Sequence, residues 1–257
     1  MIERILAPNP GLYTGPGTNT YLLASGSEVL VLDPGPIIEV HAAAIVAAIG
    51  ERTAVGVVVT HTHPDHAPLA NSLAGTLNVP VYGYGPGPDF VPDCTLSDGA
   101  EVSFGDSEIL AVHTPGHTPD HLCFRWGDTL FTGDHIMGGS TVIIEDATAY
   151  LESLYLVQDL GVGRIEPGHG DAMDDAGLAI SGYIEHRLER ERQIVAAVGS
   201  GAGTIGDVVD VVYAEIPRDL RRAAVHQVGV QLTKLSRDGA VVFVSGMAEE
   251  DTEVHLS

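Results

Sequence analysis

Metal-ligand chemistry is concentrated in one short stretch, Val57-Val58-Val59-Thr60-His61-Thr62-His63-Pro64-Asp65-His66, where an apolar run gives way to three imidazoles and a carboxylate. Neutral imidazole nitrogens and carboxylate oxygens are the donors that Zn²⁺ takes, and mixed N/O sets also suit Fe or Mn. If the apolar run is a buried strand, its end sets His61 and His63 on one side, because side chains repeat every two residues. The turn through Pro64 then presents Asp65 and His66 to a neighbouring point. Seven of the 12 histidines fall between positions 61 and 135, and the local spacing, more than the clustering, carries the argument.

Three further segments add donors. His113-Thr114-Pro115-Gly116-His117-Thr118-Pro119-Asp120-His121 places His117 in a Pro-Gly turn, where a side chain is forced outward. His113, at a strand end, and His121, at the next strand's start, read as supporting or packing residues. Leu130-Phe131-Thr132-Gly133-Asp134 is an apolar strand ending in a carboxylate that could bridge two cations, and the adjacent His135 reads as a non-ligand facing the other way. Ile165-Glu166-Pro167-Gly168-His169-Gly170 sets one imidazole between glycines after a short strand.

Short apolar runs bounded by turn residues must position these groups. They predict strands at 20–24, 29–33, 55–60, 79–82, 108–112, 121–124 and 129–132, with helices at 38–49, 67–77 and 148–160. This alternation implies sheets layered against outer helices. The run 83–88, Gly-Tyr-Gly-Pro-Gly-Pro, predicts a loop. Later residues predict helices over 176–198, 207–213 and 220–236, then a turn at Asp238-Gly239 into a strand at 241–244, the outline of a winged helix.

The 257 residues carry a net charge of −23, with 44% hydrophobic and 18% charged residues, which describes a globular chain. Residues 1–180 hold four basic against 23 acidic residues, a balance of −19; residues 181–257 hold eight against 12, a balance of −4. The composition shifts at the same place, which predicts a catalytic domain over 1–175 and a winged-helix-like domain over 176–257. Strong acidity argues against broad binding to nucleic acid or anionic membrane. No apolar run reaches the roughly 18 residues of a membrane span, and the start lacks a secretory layout. With only Cys94 and Cys123 the natural setting is a reducing cytoplasm.

Taken in order, the His61–His66 motif, His117, Asp134 and His169 resemble the metallo-β-lactamase superfamily across roughly residues 10–175. The resemblance implies an αββα sandwich with two metals between the sheets. His61, His63 and His117 would hold one ion, Asp65, His66 and His169 the other, and Asp134 would bridge them. Asn9-Pro10 with Gly17-Thr18-Asn19-Thr20-Tyr21-Leu22, and the tail from Tyr183-Ile184-Glu185-His186-Arg187 to Arg237-Asp238-Gly239, are similar to the beta-lactamase-like protein 2 family, which includes single-strand endoribonucleases. One departure stands out: many relatives have small residues after the last histidine of the motif, whereas this chain has Ala67-Pro68-Leu69, and Pro68 is expected to shift the first turn of the following helix.

The expected activity is that of a two-metal hydrolase, with Zn²⁺ the first expectation and Fe or Mn also accommodated. A hydroxide bridging the metals opposite Asp134 would attack an ester, thioester or amide carbonyl of a small molecule, with Asp65 orienting it and no Ser or Cys nucleophile needed. The first alternative is a single-strand endoribonuclease or phosphodiesterase with Arg187, Arg190, Arg192, Arg218, Arg221 and Arg222 as phosphate contacts. Acidity disfavours an RNA partner, and the arginines also fit a solvated helix face paired with Glu185, Glu189 and Glu191. Further alternatives are a β-lactam-hydrolysing side activity, a single-iron oxidative site, and a non-enzymatic winged-helix binding module. A homodimer whose tail walls the active site is the expected use of the C-terminal part.

Overall fold

The computed structural model describes residues 1–139, 141–243 and 249–257. The first sheet runs β1 (Ile2–Leu6), β2 (Asn19–Ser25), β3 (Glu28–Leu32), β4 (Thr53–Val58), β5 (Val81–Gly83), β6 (Cys94–Thr95) in that spatial order. Its first three strands pair antiparallel and β3 to β6 pair parallel. The second sheet is ordered β11-β10-β9-β8-β7, from β7 (Glu101–Phe104), β8 (Ser107–His113), β9 (Leu122–Trp126), β10 (Thr129–Gly133) and β11 (Arg164–Pro167).

The alternation of side chains along the strands builds the layers. On β2 and β3, Tyr21, Leu23, Leu30 and Leu32 face the second sheet and meet Val102, Phe104, Ile109, Phe124 and Phe131. Their neighbours Leu22, Val29 and Val31 face outward, under Ile45 and Ile49 of α1 (Glu39–Ile49) and Leu73 of α2 (Ala70–Leu77). Behind the second sheet, Cys123, Leu130 and Ile165 are covered by Tyr150, Leu154 and Val157 of α3 (Ala147–Asp159) and by Ile180 and Ile184 of α4 (Ala176–Gly199). The result is the αββα order expected from the sequence.

The far half of α4 belongs to a different core. Ile194, Ala197 and Val198 pack with Val208 and Val209 of α5 (Ile205–Val212), Val228 and Leu232 of α6 (Arg221–Arg237), and the β12 (Val241–Phe243) and β13 (Val254–Leu256) ribbon. Thr204 and Asp207 form a reciprocal cap at the start of α5, and Asp146 and Asp175 cap α3 and α4 through their side chains. Val244, the last residue of the strand expected there, lies outside the described residues. No helix among the described residues is long and apolar enough to cross a membrane.

Several elements differ from expectation. The helix expected from residue 67 begins at Ala70, two residues past Pro68. Ala67 still contributes its backbone, its N–H bonding to the His63 carbonyl at 3.2 Å. Strands β1, β6 and β7 lie outside the set that the sequence predicts; β7 does carry the alternating exposed–buried pattern, but over only four residues. The expected strand 55–60 ends at Val58, so strand alternation does not set His61 and His63. Thr60 turns out of the ladder because its N–H and hydroxyl both bond to the Asp33 carboxylate, each at 2.7 Å.

Candidate metal centre

The seven donor residues read from the sequence come together between the two sheets, at their loop end, as two adjoining groups. His61, His63, His117 and Asp134 form one, and Asp65, His66 and His169 the other, with the donor atoms of each within 4.8 Å of one another. Asp134 faces both groups. Its Oδ1 lies 3.3 Å from Nε2 of His66 and of His169, while Oδ2 lies 3.5 Å from His117 Nε2 and 4.0 Å from His61 Nε2.

The protein settles which nitrogen of most rings faces inward. A backbone carbonyl only accepts, so His117 Nδ1–H must donate to Ile143 O (2.6 Å) and His169 Nδ1–H to Gly17 O (3.1 Å). His66 Nδ1–H donates to Asp33 Oδ2 at 2.9 Å. Thr60, having given its hydroxyl proton to Asp33, accepts from His61 Nδ1 at 3.0 Å. All four rings therefore turn an Nε2 lone pair to the centre, the arrangement that fixes tautomers of metal-binding histidines. The inward ring nitrogens crowd one another, with His66 Nε2 3.2 Å from His169 Nε2 and His63 Nδ1 2.9 Å from His61 Nε2 and 3.0 Å from His117 Nε2. These spacings approach the roughly 3.3 Å edge of a tetrahedron with 2.0–2.1 Å metal–nitrogen bonds. Asp134 Oδ1, buried, has no hydrogen-bond partner. Converging lone pairs and an orphaned carboxylate oxygen fit divalent cations.

The two groups differ in charge balance. Burial would lower His66, but the carboxylates of Asp65, Asp134 and Asp33 outweigh it and raise the imidazole well above its usual range. Burial likewise opposes, and the Asp134 and Asp65 carboxylates outweigh it, at His169, which is pushed up to about 9. His61 and His117 go the other way, lowered by burial first; at His61 the neighbouring imidazoles add to it, and at His117 Asp134 offsets only part. Burial would raise Asp134, yet His66 and His169 hold it well below the carboxylate range. Without cations, positive charge thus collects on the His66–His169 side.

In the sequence Asp33 is only the end of a strand; in the fold it is the hub of the support. It sits at φ 48°, a left-handed conformation that Asp tolerates better than most residues, and its carboxylate gathers Thr60 and His66. The Asn9–Leu22 motif also supports the site: Asn9 brackets Thr18, whose hydroxyl reaches Asp65 Oδ2 at 3.2 Å, and Asn19 Nδ2 bonds to the carbonyls of Pro167 and Gly170. At Gly168 a Cβ would stand 2.8 Å from His66 Cε1 and 2.9 Å from Asp134 Oδ1, so only glycine leaves the donors their space. His121 supports from behind, its Nε2 accepting the Asp134 N–H at 3.2 Å and its Nδ1 meeting Thr114. His113 lies elsewhere, stacked on Tyr84, and buried His135 joins neither donor group.

The donors open into a cavity of about 510 Å³ with Leu12, Tyr13, Met137 and Ile143 among its walls. At its rear, Met137, Val142 and Ile144 are clamped by the C-terminal helices. Tyr183 bonds to both backbone groups of Met137, Arg187 to Val142 O at 2.5 Å, and Gln227 to both backbone groups of Ile144. Arg187, expected as a phosphate contact, is instead buried, with its guanidinium over Tyr150. Arg190 stacks on Tyr213; Arg192 pairs with Glu185 and Glu189; Arg221 pairs with Asp210 and Glu250. These four of the six arginines are therefore engaged within the protein.

Residues 13–169 match the family model described as Metallo-beta-lactamase superfamily, and residues 204–249 the Beta-lactamase associated winged helix domain. A Beta-lactamase-like protein 2 homolog of Drosophila melanogaster is 35% identical over 276 residues, covering 99% of this chain and 94% of its own. An Atrochrysone carboxyl ACP thioesterase of Aspergillus chevalieri is 34% identical over 257 residues, covering 94% and 83%. Among solved structures, a beta-lactamase domain protein from Burkholderia ambifaria superposes with a TM-score of 0.83 at 19% identity, covering 100% of this chain and 91% of that one. A metallo-beta-lactamase family protein from Thermus thermophilus gives 0.80 at 18%, covering 100% and 98%.

Proposed function

The chain belongs to the metallo-beta-lactamase superfamily and is a hydrolase of that fold with a C-terminal winged helix, and on that premise we propose that it uses two divalent cations, zinc first, to hydrolyse a thioester or ester of a small acyl substrate. The observation that carries this is Asp134, whose two oxygens are divided between two groups of inward-facing nitrogens. His61, His63, His117 and Asp134 Oδ2 would hold one cation; Asp65, His66, His169 and Asp134 Oδ1 the other. When bound, such cations polarise a carbonyl and acidify water toward a pKa of about 7.

The chain's own residues supply the rest. The Nδ1–H bonds to Asp33, Thr60, Ile143 and Gly17 hold the rings in the tautomer and orientation that the centre requires. Asp65, steadied by the Thr18 hydroxyl, presents a carboxylate at the cavity floor to orient water. Leu12, Tyr13, Met137 and Ile143 give an acyl chain an apolar seat. The thioesterase relative favours a thioester, and the engagement of the arginines weighs against RNA. In the same reading the division at 175/176 is functional: 1–175 supplies the seven donors, and 176–257 holds the cavity wall.

The test is elemental analysis for metal per chain with a panel of thioester, ester, β-lactam, phosphodiester and single-stranded RNA, each beside Asp134→Ala. About two divalent ions per chain, and thioester or ester hydrolysis lost in the variant, is the expected result. One iron per chain without hydrolysis, or cleavage of RNA alone, overturns the proposal.

A further inference from the structure

The metal cavity takes its wall from residues up to His169, with one exception on α6, His226. His226 is exposed, and its side chain makes no hydrogen bond or ion pair among the described residues. Its place is nevertheless set, because the next residue, Gln227, is the one that grips both backbone groups of Ile144. A second cavity, of about 790 Å³, runs along the same face of α6, lined by Arg222, Thr233, Lys234 and Arg237 among others. Two residues line both cavities, Glu145 and His226.

An extended substrate lying in both cavities would be divided at His226, with its acyl half against the apolar walls beside the metal donors and its leaving group in the groove along α6. The titratable side chains of the metal cavity outside the seven donors are Tyr13, Glu145 and His226. Imidazole is the side chain whose ordinary titration range lets it hold and release a proton near neutrality, as a general acid must.

We propose that His226, supplied by the C-terminal domain, is a catalytic residue that protonates the leaving group. The inference rests on the acyl-hydrolase reading above. As the bond from the acyl carbon to the leaving oxygen or sulfur breaks, its electron pair goes to that atom, which takes the proton from His226. The ring regains a proton from solvent, and the oxygen of the attacking water stays in the carboxylate product.

The demand for that proton rises with the basicity of the leaving atom, which provides the test. One acyl group is presented on an aryl thiol, an alkyl thiol, a phenol and an alkyl alcohol, to the native chain, His226→Ala, His226→Gln and the control His255→Ala, which removes an exposed imidazole outside both cavities. Both His226 variants should lose about 100-fold or more in kcat/KM on the most basic leaving group turned over and only a few-fold on the aryl thiol. The plot of log kcat/KM against leaving-group pKa steepens accordingly, while His255→Ala leaves its slope unchanged. If only thioesters react, the aryl and alkyl thiols alone define the slope. Unchanged slopes, whether with no loss or with an equal loss throughout, overturn this inference and leave the acyl-hydrolase reading standing. A native chain inactive on the whole series overturns both.

Discussion

Gln227→Ala should damage a metal centre that this side chain never touches. Gln227 Nε2 donates to Ile144 O at 2.8 Å and Oε1 accepts the Ile144 N–H at 3.2 Å, with the side chain only 9% exposed and Ile144 fully buried. Truncation leaves a buried N–H and a buried C=O without partners, each costing about 1–3 kcal/mol. Because both belong to one residue and relax together, the expected loss is about 2–4 kcal/mol, or roughly 5–15 °C in Tm. The neighbouring Ile143 carbonyl, which fixes His117 at 2.6 Å, loses its anchor. Metal binding should weaken by about tenfold, the low end for a lost outer partner, since the carbonyl itself remains. Denaturant unfolding of the metal-free chain and competition with a chromophoric chelator measure the two effects. If Gln227→Ala changes stability by less than about 0.5 kcal/mol and leaves metal affinity intact, the clamp reasoning is wrong.

Other perturbations probe the remaining support. Asp33→Ala removes the acceptor of His66 and Thr60 together, so metal affinity should drop by about 10–100-fold, read by the same chelator competition. Acidification should empty the two groups in turn. His66 is raised and His169 pushed up to about 9, so metal there must displace protons at neutral pH, whereas the lowered His61 and His117 are already neutral. Elemental analysis after dialysis from pH 8 to 6 should show about two ions per chain falling to one, and simultaneous loss would contradict the charge asymmetry. For folding, the depressed His61 and His117 contribute stability present above the unfolded pKa of about 6.5 and lost as pH falls; protonated His66 and His169 contribute below it, and His169 loses that as pH rises through about 9, His66 as pH rises through its own raised range. A native thiol assay should find one reactive cysteine, exposed Cys94, because Cys123 is buried with its thiol pushed up to about 12; two fast equivalents would show that the second sheet opens.

The donors are legible in the sequence because their chemistry is local: His61, His63, Asp65 and His66 fall in one run, and His117, Asp134 and His169 each sit beside a glycine or just before one that turns the chain. The layers are legible from period-two apolar runs such as 20–24 and 29–33. What escapes the sequence is held by long-range partners. Nothing near Asp33 announces that it will receive Thr60 and His66, 27 and 33 residues on. Gln227 and Arg187 look like surface residues of amphipathic helices until Ile144, Val142 and Tyr150 of α3 meet them. Strand β1 goes unpredicted because its five residues are half exposed and carry no clean alternation.

The wide chain separation across the donor groups bears on the order in which the site is made. His66 meets His169 across 103 residues, and His169 reaches Gly17 across 152. During synthesis the His61–His66 run emerges with four donors already together, while His117, Asp134 and His169 are still unmade. The full donor set exists only once His169 is made, and the support of His117 is complete later still, when Gln227 and α6 have folded against Ile144. Any ion bound earlier would meet an incomplete set, so the finished site depends on residues spread over most of the chain.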